Sequence, residues 1–248
     1  MSPRRWWIFL VAVSLAPFSR AQETVMRAPG SAAATVLASV QFVSPTAIDF
    51  KALLPEPPPL GSIAAQADLE AVLQVQAWRT PEQVAWAKLV EKDHVFNHAS
   101  VLGAWFAGER LPQTTAFFKR IGDDLRALDG AAKKPFLRLR PPAVDARVQP
   151  CVTLPASTSY PSGSGMQAFV WAELLAEIIP AQRSELIARA ERAAWGRVIG
   201  GVHFPSDVVA GRRLALLFIA ECRKSPEFQS AFEACRREIV TARPPDTR

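Results

Sequence analysis

An all-α fold is what this sequence predicts, and three observations carry the prediction. Apolar residues recur at three- and four-residue spacings along most of the chain, helix start signals stand where those runs begin, and no run alternates apolar with polar residues for the length of a strand. There is no internal repeat. With 248 residues, 49% of them hydrophobic and 21% charged, the chain has the usage of an ordinary folded protein of one domain, or at most two. A core of that size needs neither disulfides nor a metal to stay folded. The formal charge of +6 is spread along the chain and forms no basic tail, which excludes the usual pattern of a duplex DNA binder and leaves room for a small anionic ligand.

The elements follow in chain order. Residues 1–21 read as a cleavable signal peptide: Arg4 and Arg5 precede the apolar run Trp6 to Val13, and Ser19-Arg20-Ala21 offers a small-x-small cleavage site. The run breaks at Pro17 and Arg20, short of the about 20 apolar residues a membrane span requires. Cleavage removes three arginines and no acid, taking the net charge from +6 to +3 and placing the mature chain, with no membrane span, in the periplasm or outside the cell. Residues 22–53 form an N-terminal arm, expected to be loose as far as 45, and 54–248 form the folded domain. Leu54 to Pro59 is extended by its prolines.

Helical periodicity then covers 67–78. Thr80-Pro81-Glu82-Gln83 is a capping box that opens a second helix to about Val95. Further helical windows run over 97–108, 112–129, 166–179, 181–195, 206–223 and 226–240. In an oxidising compartment Cys222 and Cys235, on either side of the break at Ser225-Pro226, can pair across a hairpin or stay as buried thiols, and Cys151 is left over.

Between Lys133 and Gly165 the helical pattern fails. Six prolines interrupt it, and long irregular segments inside compact domains tend to carry function. Lys133 and Arg140, the latter stiffened by Pro141, suit a tetrahedral oxyanion; together with Lys134 and Arg138 they equally suit a solvated basic run. Tyr160-Pro161-Ser162-Gly163-Ser164-Gly165 leads into a helix N-terminus, where unpaired amides favour phosphate, although Ser164 also reads as an ordinary N-cap. In Arg197-Val198-Ile199-Gly200-Gly201-Val202-His203-Phe204-Pro205-Ser206-Asp207, Asp207 lies in a helix first turn and can reach the His203 ring. A carboxylate on Nδ1 leaves the Nε2 lone pair free for a nucleophile or base; a satisfied polar pair is the structural alternative.

Lys-x6-Arg-Pro, then Pro-Ser-Gly, then Arg-x5-His-x3-Asp, in this order, resembles the phosphatidic acid phosphatase type 2 (PAP2) superfamily, and within it the bacterial class A non-specific acid phosphatases. The likeness runs from about Leu54 to Ile239. It implies a single helical bundle of the PAP2/haloperoxidase type with no metal or other cofactor. Lys133, Arg140 and Arg197 would bind phosphate oxygens with help from Ser162 and the Gly163 amide, His203 would form a phosphohistidine, and Asp207 would orient it. The substrate class is a small phosphate monoester. Two positions depart from the pattern. Gly196 replaces a serine at the cost of a hydrogen bond. Ser164 replaces the histidine that acts as general acid, and a hydroxyl is far too weak an acid for that step, which is typically worth about 10²–10⁴-fold. His94 and His98 remain as substitute donors, or as a metal pair at spacing four, while a surface or core role is the reading preferred for both. The alternatives to a working phosphatase are a weak or inactive relative that binds a phosphorylated ligand and a vanadium haloperoxidase.

Overall fold

The computed structural model describes residues 41–244, so the expected signal peptide and most of the arm lie outside the described residues. Among the described residues all regular structure is helical. The long helices are α1 (Ile63–Trp78), α2 (Pro81–Leu89), α3 (Pro112–Lys133), α4 (Gly163–Ile178), α5 (Arg183–Ile199), α6 (Pro205–Cys222) and α7 (Pro226–Ala242). None is long and apolar enough to cross a membrane.

α4 is the centre of the bundle. Met166, Phe169, Val170, Trp171, Leu174 and Leu175 are all buried and spread around most of its circumference, leaving the edge with Glu173 and Glu177 toward solvent, so neighbours must surround the rest. α5 and α6 provide most of that cover, and α3 closes another side. α7 in turn packs on α3 through aromatic rings, Phe117 standing 5.6 Å from Phe228 and 5.8 Å from Phe232 between centroids.

Several boundaries differ from expectation, each for a local reason. α1 starts a turn early because the Ser62 hydroxyl accepts the Ala65 N–H at 3.1 Å. The Thr80 capping box forms as predicted, Gln83 Oε1 accepting the Thr80 N–H at 2.9 Å. α2 stops well before Val95: Asp93 is drawn across to Arg189 of α5, with contacts of 2.7 and 3.0 Å, and the chain turns there. The 97–108 helix is also cut short, since Gly103 takes φ +99° and ends a single turn at Leu102. α3, by contrast, continues to Lys133.

The described end of the arm is docked, not loose. The buried Asp124 carboxylate accepts the N–H groups of Gln41, Phe42 and Val43 at 2.6, 2.7 and 3.1 Å, and Val43, Ile48 and Phe50 enter the core. Cys222 and Cys235 are both buried free thiols and form no bridge. Cys235 Sγ instead lies 3.6 Å from Thr114 Oγ1 on α3, and burial pushes both thiols well above their ordinary range. Cys151 is likewise free, as expected.

Candidate active site

Three segments far apart in sequence meet at one end of α4. The C-terminal turn of α3 carries Lys133, and the irregular chain after it turns through Leu137 at φ +47° before running extended through Arg138 and Arg140. The α4 N-terminus brings Ser162, Gly163 and Ser164, the end of α5 brings Arg197, and the α5–α6 loop with the first turn of α6 brings His203 and Asp207. Gly211 makes the meeting of α6 and α4 possible: a Cβ there would lie 2.5 Å from the Ser162 carbonyl oxygen. Across the same contact the Ser162 N–H donates to the Asp207 backbone carbonyl at 2.9 Å.

His203 is 2% exposed, with Nδ1 3.2 Å from Asp207 Oδ2 and Nε2 3.2 Å from Arg140 NH1. Burial lowers the imidazole to about 4 despite the opposing Asp207 carboxylate, so the ring is neutral over most of the pH range. With its proton on Nδ1 facing the carboxylate, Nε2 presents a lone pair to the cleft.

Asp207 is fully buried and multiply held. Its Oδ2 also accepts from the Ser159 hydroxyl at 2.5 Å and the Phe204 N–H at 2.8 Å, while Oδ1 accepts from Arg138 NH1 at 2.6 Å. Burial pushes this carboxyl up, but His203, Arg138 and Ser159 together hold it below the usual range. Arg138 reaches on to Asp68 of α1 at 2.7 Å, and Asp68 Oδ1 accepts the Ser206 N–H at 3.2 Å.

The cations are no solvated run. Lys133 is 5% exposed and Arg140 7%, and only Lys134 points into solvent. Arg140 is locked by the carbonyls of Ser157 and Val202, each at 2.7 Å; burial lowers it to about 10, which leaves it charged. Lys133 donates to the Pro161 carbonyl and pairs with Asp129 Oδ1 at 3.1 Å. Burial also lowers Lys133, with Asp129 opposing. Arg197, 3% exposed, has Nε and NH1 without any hydrogen-bond partner, in the field of the Glu91 carboxylate.

Lys133, Arg140, Gly163, Ser164 and His203 line a cleft of about 280 Å³, joined there by Asp129 and Glu91. Ser162, not Ser164, is the N-cap: its Oγ accepts the Gly165 N–H at 3.1 Å, so the open first-turn amides are those of Gly163 and Ser164, both facing the cleft. Ser162 itself is sealed in the wall.

The sequence pattern of the PAP2 superfamily matches residues 125–230, which span every one of these motifs. A non-specific acid phosphatase of Providencia stuartii is 31% identical over 204 residues, covering 78% of this chain and 82% of the relative. The chain belongs to the PAP2 superfamily. A second non-specific acid phosphatase, from Salmonella typhimurium, is 29% identical over 201 residues, 75% of this chain and 78% of its own length. Among solved structures, a transmembrane PAP2 type phosphatidylglycerolphosphate phosphatase from Bacillus subtilis aligns at TM-score 0.45 and 23% identity, over 66% of this chain and 87% of that one.

His94 takes a surface role and His98 a core role in this PAP2 chain. His94 and His98 do not line the cleft. His94 is exposed and caps a short turn through Nδ1, 3.2 Å from the Phe96 N–H, whereas His98 is buried beside Trp171 with Nδ1 2.9 Å from the Val95 carbonyl. The two rings are turned to separate backbone partners, and among the described residues no cluster of three or more metal-ligating side chains occurs. At Gly196 the space a side chain would need is filled by Val90, whose Cγ2 would lie 2.7 Å from a Cβ built there.

Arg138, Ser159 and Asp68 were invisible as partners of the PAP2 site in the sequence reading. One signal was present, since Arg138 and Arg140 are two residues apart in extended chain and project to one side. Nothing local marks Asp68.

Proposed function

We propose that this PAP2 protein is an exported phosphatase that hydrolyses small phosphate monoesters through a phosphohistidine at His203. The observation that carries the reading is the His203 ring, neutral, oriented by an over-determined Asp207, with Nε2 open to a cleft lined by buried cations. A substrate phosphoryl group would take the Arg140 fork from Nε2 and gather Lys133 and the Gly163 amide, and the unpartnered nitrogens of Arg197 are a buried charge that a phosphate oxygen would satisfy. Nε2 then attacks phosphorus as the P–O bond to the leaving group breaks. Asp207 offsets the positive charge that develops on the imidazole. Water attacks the phosphohistidine in turn, releasing inorganic phosphate and restoring the neutral ring.

Export is supported by the arginine-led apolar run at residues 4–13 and by the bacterial acid phosphatases to which the chain is similar. Ser164 favours one second reading, a weak or inactive relative that keeps the cradle and binds a phosphorylated ligand.

The test is chemical trapping. A brief incubation with a phosphate-labelled aryl ester, quenched in alkali, should yield an acid-labile phosphohistidine that is absent from His203→Ala, and turnover should vanish with it. Full turnover in His203→Ala would overturn the mechanism. Tight phosphate binding with no adduct and no turnover in the native chain would leave the binder.

A further inference from the structure

A phosphate monoester of an alcohol needs a proton at its departing oxygen, because an alkoxide is too basic to leave unaided. Ser164 cannot provide it, and the two histidines outside the site do not reach the cleft. Resting on the phosphatase reading, we infer that Asp129 is the proton donor to the leaving group.

Asp129 sits one turn before Lys133 on α3, with its carboxylate laid against the first turn of α4. Its Oδ1 is 2.1 Å from the point a Cβ on Gly163 would occupy, so the space above Gly163, next to Ser164, belongs to this carboxyl group. That oxygen is sealed from solvent and has no well-formed hydrogen bond, although Lys133 Nζ stands 3.1 Å from it. The side chain as a whole is 31% exposed, so its other edge can exchange protons with water. It lines the same cleft as His203, Arg140 and Ser164.

The charges around it make a proton there useful only when substrate is bound. In the empty cleft Lys133 balances the Asp129 carboxylate. An arriving phosphoryl dianion draws on the same ammonium and, even with Arg140 beside it, brings its negative oxygens next to the Asp129 carboxylate; a proton taken up by Asp129 removes that repulsion. The resulting carboxylic acid can then give that proton to the departing oxygen as the P–O bond breaks, returning to the carboxylate, and the carboxylate can later accept a proton from the water that attacks the phosphohistidine.

The groups facing Asp129 are accounted for. On α3 they are Lys133 and, farther along the cleft wall, Arg126, which is already paired with Asp123. α4 presents the uncharged Gly163 and Ser164. The irregular segment contributes Arg140 and the α5–α6 loop His203, both engaged as described. Glu91 is the other carboxylate of the cleft; hydrogen bonding from Thr153, through its side chain and its N–H at 3.3 Å, with the field of Arg197, lowers its pKa below the usual range, and the side-chain atoms nearest a Cβ on Gly163 belong to Asp129, not to Glu91.

Two measurements test the assignment. The first is calorimetric binding of sulfate near pH 5.5 in buffers of different ionisation enthalpy; sulfate stays a dianion, so any proton taken up belongs to the protein. Native protein should take up close to one proton more than Asp129→Asn. Equal uptake in the two proteins overturns the proposal. The second compares kcat for glycerol phosphate and 4-nitrophenyl phosphate. Asp129→Asn should lower the alkyl rate by about 10²-fold or more and the aryl rate far less, and Asp129→Glu should recover part of the alkyl rate. An unchanged alkyl-to-aryl ratio in Asp129→Asn overturns the proposal even if both rates fall. Native protein that binds sulfate with the extra proton but hydrolyses neither ester would sink the phosphatase reading, and the donor role with it, while leaving Asp129 as the group that titrates on anion binding. No sulfate binding at all would remove the cradle and everything built on it.

Discussion

At the residue scale, the most consequential side chain outside the three motifs is Arg138. It spans from Asp207, behind the nucleophile, to Asp68 on α1, and its guanidinium lies 4.1 Å over the Phe204 ring. Asp207 is fully buried, and a buried carboxylate that loses its cation costs about 3–5 kcal/mol. Arg138→Ala should therefore lower the urea unfolding free energy by that order, and Arg138→Lys should recover only part of it, because one ammonium cannot fork to both carboxylates. His203 itself supplies the pH prediction. Burial lowers it to about 4, so on the proposed mechanism His203 stops serving as nucleophile only below that pH. An aryl phosphate assayed as kcat/KM should show an acid limb falling tenfold per unit below about pH 4; a limb centred near the ordinary histidine value of 6.5 would mean that burial does not control the ring.

At the element scale, one helix start depends on a partner far along the chain. α3 begins after Leu111, which has no side chain able to cap it, and Glu238 of α7 fills that role: its Oε1 accepts the Gln113 N–H at 2.9 Å and its Oε2 accepts the Thr114 N–H and hydroxyl, both at 2.7 Å. The first-turn amides and the helix dipole both favour a carboxylate there. Glu238→Ala should cost about 1–2 kcal/mol in thermal or chemical unfolding. Glu238→Gln should keep part of the hydrogen bonding and lose the charge. Because α3 ends at Lys133, a helix that slips at its start also disturbs the cleft, and a drop in phosphate affinity in Glu238→Ala larger than in Glu238→Gln is the expected companion result.

At the scale of the whole molecule, the cleft joins α3, the irregular segment after it, the start of α4 and the α5–α6 loop, so a ligand there ties together segments from across the chain. On the proposed function phosphate would bind only the folded arrangement, and at 100 times its dissociation constant it should stabilise the fold by about 2.7 kcal/mol. Thermal unfolding should shift upward with phosphate or vanadate. The shift should collapse in Arg140→Ala, in which the cradle loses its central fork. How much of this was legible beforehand differs by kind of information. The helical class, the Thr80 capping box, the apolar α4 and the spacing of His203 to Asp207 are consequences of neighbours within a few residues, and periodicity and side-chain chemistry determine them in the sequence alone. Element lengths were less legible: Asp93 ends its helix because Arg189 of α5 pulls it across, and Ser162 rather than Ser164 caps α4. The partners were least legible. Asp68 beneath Ser206, Ser159 on Asp207, Glu238 on α3, Asp129 over Gly163 and the separation of Cys222 from Cys235 depend on how helices lie across one another. Side chains far apart in sequence meet only when burial of the apolar faces brings their helices together, and that burial is a property of the packed fold.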